Sequence, residues 1–234
     1  MKTPFVVLYS EALEESVRRG QFPPPALRYE LGDGHTYDYG EGIFPTPLAT
    51  EVKEFTTRES CGFSHFPLTP NADLTQPIKD LEKFIATEGP YDGVIAFSQG
   101  ITAAATLIIR NTQEGKPIPF QCAIFFSPRM GPLDLGGSSR TRRAVEIDPD
   151  THRGVIKIPT ALIWGSQDPN RVKTEEISPL FAPGCIETYI HSGGHEVPGT
   201  GSNEAVIRSV NVIRRAIDAG SSASANERIQ VVNR

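Results

Sequence analysis

Short, nearly continuous apolar runs alternate along this chain with longer segments whose apolar residues recur at helical spacing. Gly93-Val94-Ile95-Ala96-Phe97 is almost unbroken, as a strand buried on both faces requires. Phe120–Phe126, Pro159–Trp164 and Cys185–Ile190 read as three further strands. Before the first of these, Leu74, Ile78, Leu81 and Ile85 share one face at spacings of four, three and four. That spacing predicts a helix over Asp73–Thr87, with Asp73 or Thr75 as its cap and Gly89-Pro90 at its end. Thr102–Ile109, rich in Ala and Leu, predicts another helix, and helical signals recur around Glu175–Leu180. In Asn203–Ile217 the apolar face is Val206, Val210, Ile213 and Ile217, with Arg214 and Arg215 in the last turns and a stop expected at Gly220.

The N-terminal third is less regular. Phe5–Leu8 predicts a short strand and Glu11–Arg19 two turns of charged helix, with Pro23-Pro24-Pro25 stopping regular structure. Leu27 to Thr69 is turn-rich, and a single short strand is expected near Tyr37. Strand followed by helix, about four times over, implies an α/β domain: a mainly parallel sheet with helices on both faces. The expected organisation is an atypical segment over 1–25, the α/β domain over 26–220 and a flexible tail over 221–234.

Composition narrows the function classes. A chain of 234 residues that is 38% hydrophobic and 22% charged is folded, and its length suits one domain. A net charge of −5 argues against a nucleic-acid partner held by charge. Gly32-Asp33-Gly34 lacks the framing strand and helix of a dinucleotide site. Cys61, Cys122 and Cys185 are too widely spaced for a zinc site or a disulfide framework, so free thiols in a reducing compartment are expected. Phe5–Leu8 is too short for a signal-peptide core, and Val94–Ile109 is interrupted by Ser98, Gln99 and Gly100, so no membrane association is expected and a cytoplasmic location is.

Three positions carry candidate chemistry. In Ala96-Phe97-Ser98-Gln99-Gly100 a serine stands at the seam between a buried strand and a helix. A nucleophile elbow needs small residues two before and two after the serine, because strand and helix nearly touch there; Ala96 and Gly100 meet that need, with Ala where Gly is usual. The turn would lift the Ser98 hydroxyl above the sheet edge and aim the Gln99 N–H, at the positive end of a helix, toward an oxyanion. Asp168 lies in the turn after the Pro159–Trp164 strand, where open α/β folds place their sites, although a turn former before Pro169 also fits it. His195 follows Gly193-Gly194 just beyond the last strand; those glycines argue against a His191/His195 metal pair on one helix face. Ser98, Asp168 and His195 fall in the chain order of an α/β-hydrolase triad, each at a strand's carboxyl end.

These runs resemble the fungal serine hydrolases of the FSH type, a branch of the α/β-hydrolases that includes thioesterases of polyketide gene clusters. The resemblance covers about Ala26 to Ala219 and rests on Gly89–Gly100, Phe125-Phe126-Ser127, Trp164–Pro169 and His191–Pro198. It implies Ser98 as nucleophile, His195 as general base, Asp168 as its orienting carboxylate, no cofactor and no metal. The expected reaction is hydrolysis of a thioester or carboxylic ester through an acyl-enzyme, with release of a polyketide or other acyl chain from an acyl carrier protein as the role the family suggests. Members of that family usually open with a strand ending in Leu-His-Gly, whose following loop supplies the second oxyanion donor. Residues 1–26 contain no such run, which assigns that donor to the backbone near Ser10 or Glu11. A slow hydrolase, a rebuilt oxyanion hole and a misassigned first exon are all consistent with this departure. A non-catalytic binding protein of the same fold and a carboxylesterase of small esters are the alternative functions. Phe44, Phe55, Phe63, Phe66 and Met130–Leu135 are candidates for an acyl pocket or for ordinary core, and Arg140, Arg142, Arg143 and Arg153 for a carrier contact or a solvated face.

Overall fold

The computed structural model describes residues 3–9, 22–47, 61–66, 73–135, 145–199 and 201–232. In chain order its elements are β1 (Thr3–Leu8), α1 (Pro25–Leu31), β2 (His35–Gly40), β3 (Phe44–Pro47), β4 (Cys61–Ser64), α2 (Thr75–Glu88), β5 (Gly93–Phe97) and α3 (Gln99–Gln113). They continue with β6 (Cys122–Phe126), β7 (Leu133–Asp134), β8 (Val145–Glu146), β9 (Thr160–Gly165), α4 (Arg171–Ile177) with a 3₁₀ turn at Ser178–Leu180, β10 (Ile186–His191) and α5 (Asn203–Val232).

Six strands form one sheet in the order β10-β9-β6-β5-β1-β2, and every neighbouring pair is parallel. The apolar runs are central because both of their faces are covered: every residue of β5, β6 and β9 is buried. Val94, Ala96, Phe125, Leu162 and Trp164 pack against α2 and α3 through Ile78, Leu81, Ile101 and Ile108. Ile95, Phe97, Ile124, Phe126 and Ile163 face the other way, onto Leu27 and Leu31 of α1 and Val206, Val210 and Ile213 of α5. The two-residue alternation of the strands thus meets an apolar helix stripe on each side, which closes a three-layer core.

Four sequence expectations are corrected. The proline run does not stop regular structure, because Pro25 opens α1 at a position where a missing N–H costs nothing. The 27–69 segment holds more than one strand: β2 extends the sheet, and β3 pairs antiparallel with β4. Helix α3 begins at Gln99, three residues before Thr102, since Gln99 and Gly100 read as a turn in the sequence and Ile101 alone sets no apolar period. Helix α5 passes through Gly220 instead of stopping there and continues as helix to Val232. A Cβ at Gly220 would sit 2.5 Å from the carbonyl oxygen of Gln121, so this glycine lets the helix approach the start of β6. The predicted helix over Glu11–Arg19 lies outside the described residues.

Candidate active site

Ser98 occupies the one-residue joint between β5 and α3. Its backbone is held at φ 54°, ψ −118°, a positive-φ conformation rarely adopted by non-glycine residues. Its N–H donates to the Phe126 carbonyl at 3.1 Å, which ties the joint to the top of β6. The tight turn depends on Gly100: a Cβ there would lie 2.3 Å from the Leu8 carbonyl oxygen. Strand β1 therefore runs directly beneath the first turn of α3, and only a glycine admits that approach.

The sheet brings the three predicted residues together. The His195 imidazole Nε2 lies 3.0 Å from Ser98 Oγ, and its Nδ1 lies 2.9 Å from Asp168 Oδ2. Asp168 is fully buried, and its second oxygen accepts from the Asn170 N–H at 2.7 Å, so both oxygens of the carboxylate are engaged. An ionised carboxylate can only accept; this fixes the proton on His195 Nδ1 and leaves Nε2 free to accept from the serine hydroxyl. Phe97 packs against the imidazole with ring centroids 4.9 Å apart, covering one side of it.

The His195 loop is held by the turn that carries Asp168. Ser166 N–H donates to the His191 carbonyl, Gln167 N–H to the Gly193 carbonyl, and Gln167 Nε2 to the Ser192 carbonyl, at 2.7, 3.0 and 2.9 Å. Gly165 is required by this contact, because a Cβ there would lie 2.1 Å from the Gly193 carbonyl oxygen. His191 ends β10, and its Nδ1 accepts from the Gly193 N–H at 3.1 Å, so it serves the loop and forms no helical pair with His195. Burial pushes the His191 imidazole pKa down, which favours the neutral, accepting form. Among the described residues no group of three or more His, Cys, Asp and Glu side chains could hold a metal ion.

The predicted oxyanion donors are only partly in view. Gln99 opens α3, where the first backbone N–H groups of a helix have no partner within it. Ser10 lies outside the described residues, whereas Tyr9 just before it is buried. Of the candidate pocket residues, Phe66 and Leu133 belong to the core, Phe44 and Phe63 are half-buried, and Phe55 is outside the described residues. The Met130–Leu135 stretch is fastened to α3: Thr102 Oγ1 donates to the Met130 carbonyl and Thr106 Oγ1 accepts from the Leu133 N–H. Arg153 is bridged to Asp150 at 2.7 Å, and Arg140, Arg142 and Arg143 are outside the described residues. Cys122, its thiol pKa raised by burial to about 12, is inert as a nucleophile.

Sequence reasoning missed His65. It is buried, its backbone N–H donates to Gln99 Oε1 at 2.9 Å, and its ring hydrogen-bonds the backbone of Tyr9. Nothing in the turn-rich 27–69 segment marks it, because the partners it joins are distant in the chain.

Comparison with known proteins identifies the fold and the family. "Esterase FPY3" of Fusarium mangiferae is 32% identical over 195 residues, spanning 82% of this chain and 86% of that one. Among solved structures, a Bacillus cereus carboxylesterase superposes with a TM-score of 0.55 at 14% identity, over 92% of this chain and 89% of the other. YbtT, titled a type II thioesterase from the yersiniabactin NRPS/PKS biosynthetic pathway, gives 0.57 at 13% identity, over 94% of each chain. Both structural likenesses establish an α/β-hydrolase fold. The family described as "Serine hydrolase (FSH1)" matches residues 26–206, a span that contains β5, the Ser98 joint, the Asp168 turn and the His195 loop. A parallel sheet with a strained serine at one strand end, and a relative at this identity across most of both chains, lead to one conclusion: this chain is a member of the FSH1 serine hydrolase family, an enzyme of ester-bond hydrolysis.

Proposed function

We propose that Ser98 is the nucleophile, His195 the general base and Asp168 the carboxylate that orients and stabilises it, in the hydrolysis of an ester or thioester. The observation that carries this reading is the unbroken series Ser98 Oγ–His195 Nε2 and His195 Nδ1–Asp168 Oδ2, at 3.0 and 2.9 Å. As Ser98 Oγ attacks the acyl carbon, its proton passes to His195 Nε2. The resulting imidazolium is stabilised by the buried Asp168. The Gln99 N–H meets the negative charge that develops on the acyl oxygen, and the alcohol or thiol leaves with the proton from His195. Water, deprotonated by the same imidazole, then attacks the acyl-Ser98 ester and regenerates the hydroxyl. These steps balance without a metal or organic cofactor.

Mixing the protein with p-nitrophenyl acetate under pre-steady-state conditions tests the scheme. A burst of about one p-nitrophenolate per chain, absent in Ser98→Ala, is expected. Steady release without a burst, unchanged by that substitution, would contradict it.

The finer reading is a thioesterase that frees a polyketide or other acyl chain from a carrier protein in the cytoplasm. It is supported by the family resemblance, while the bridged Arg153 adds nothing to a carrier contact. Comparing an acyl-carrier thioester with the same acyl group as a p-nitrophenyl ester tests it. Turnover of the carrier substrate, weakened by substituting Arg140, Arg142 and Arg143 together, is expected; turnover of the small ester alone would remove the carrier from the scheme.

A further inference from the structure

Tyr9, the residue after β1, and Gln99, the residue after Ser98, are joined by a closed circuit of contacts. Gln99 Oε1 accepts from the His65 backbone N–H at 2.9 Å, and the His65 ring bonds the backbone of Tyr9. Tyr9 returns to the helix through the close approach at Gly100, where an added Cβ would lie 3.0 Å from the Tyr9 nitrogen. Tyr9 is fixed on its far side as well: its phenol O–H donates to Glu41 Oε1 at 2.9 Å, and its ring meets Tyr39 edge-on at 6.5 Å.

His65 is an unusual choice for this post. It is buried, and among the described residues its Nε2 has no hydrogen-bond partner. It borders a small cavity of about 150 Å³ lined by Ile43, Pro77, Leu81 and Phe84 together with the carboxylates Glu41 and Asp80. An imidazole with one nitrogen bonded to the backbone and the other bare is costlier than an apolar side chain of similar size, unless the bonded nitrogen has a task. Burial keeps the ring neutral, so one nitrogen carries hydrogen and the other does not; the Tyr9 carbonyl, an acceptor, selects the protonated one.

We propose that His65, with the Gln99 carboxamide, is a positioning residue: it locks Tyr9 to the first turn of α3, and so holds the Gln99 N–H where it receives the oxyanion beside Ser98. This inference rests on Ser98 being the nucleophile, and it assigns to a side chain just beyond the β3–β4 hairpin a part in transition-state stabilisation without contact with the substrate. Oxyanion donors act only when held at hydrogen-bond distance from where charge develops, so slack of a fraction of an ångström lowers kcat and leaves substrate binding nearly untouched.

The test uses the full chain, a p-nitrophenyl ester as substrate and phenylboronic acid as a tetrahedral analogue. His65→Leu and Gln99→Leu should each lower kcat by about 10- to 100-fold, with KM within about twofold. The Ki for phenylboronic acid should rise in step with the loss of kcat. Combined, the two substitutions should cost little more than the worse one alone, because they open the same circuit. His65→Asn places an amide N–H where the bonded ring nitrogen stands, and should recover kcat to within about fivefold of wild type. Wild-type kcat in a folded His65→Leu, or an Asn variant as impaired as the Leu variant, would overturn the proposal. Should His65→Leu fail to fold, unchanged kcat in Gln99→Leu overturns it instead. Ser98→Ala separates the two claims: if it still turns over, the nucleophile assignment falls, whereas an inactive Ser98→Ala beside fully active His65 and Gln99 variants removes the positioning role alone.

Discussion

The two flanks of Ser98 are held in place by different means. On the β9–β10 flank, backbone rests on backbone: Gly165 lies under the Gly193 carbonyl, and Ser166 and Gln167 donate their N–H groups to carbonyls of the His195 loop. The contacts that hold it lie in two short runs, Trp164–Asn170 and His191–Glu196. On the β1 flank, side chains span the gap: Gln99 reaches His65, His65 reaches Tyr9, and Tyr9 reaches Glu41. The first flank tolerates almost no change of volume, because its backbone contacts leave no room for a Cβ at Gly165. The second has space beside it but depends on one buried imidazole staying neutral. A site assembled this way fails on one side by steric displacement and on the other by loss of individual hydrogen bonds.

Substitutions can break each flank separately. Asp168→Asn keeps the size of the side chain but removes the acceptor that holds the His195 proton on Nδ1; kcat for a p-nitrophenyl ester should fall by roughly 10⁴-fold with little change in KM. A fall of less than about tenfold would show that Asp168 only shapes the turn through its bond to Asn170. Next in size, Gly165→Ala should displace the His195 loop by forcing a Cβ to within 2.1 Å of the Gly193 carbonyl. Misplacing the base by about 1 Å should lower kcat by about 10²-fold, and the melting temperature should fall as well. Full activity in that variant would mean the loop has room the geometry denies.

The smallest expected effect sharpens the other flank. Burial holds the His65 pKa down at about 4, against 6.5 for an exposed histidine. Between those values the unfolded chain binds a proton that the folded chain does not, so stability is complete above about pH 6.5 and is lost as pH falls toward 4. Urea titrations at pH 7 and pH 5 should show wild type losing about 2 kcal/mol more than His65→Asn, which has no proton to take up there. His191 and His35, both also pushed down by burial, contribute equally in the two proteins and cancel in that difference. Equal losses would mean that His65 is hydrated in the folded state.

The same contrast explains what could be read from the sequence. Buried strands announce themselves by composition, so β5, β6 and β9 were legible to within two residues at either end, and the edge strand β10 to within one. That Ser98, Asp168 and His195 come together was legible because each sits at a strand end inside a run whose glycines serve that spot. Helix α1 was not, since a proline run reads as a break until one knows that Pro25 occupies a helix's first position. Gly220 misled for a related reason: a glycine that permits close packing looks the same in sequence as one that ends a helix. His65 had no local signature, because its role is set by Tyr9 and Gln99, which lie 56 residues before it and 34 after. Long-range side-chain contacts leave no periodicity to detect.

The most direct measurement is the intact mass of the protein after treatment with a fluorophosphonate, followed by peptide mapping of the adduct. One phosphonyl group per chain, on Ser98, with no adduct in Ser98→Ala and markedly slower labelling in His195→Ala, is the expected result. An unmodified wild-type chain, or an adduct on any residue other than Ser98, would contradict it.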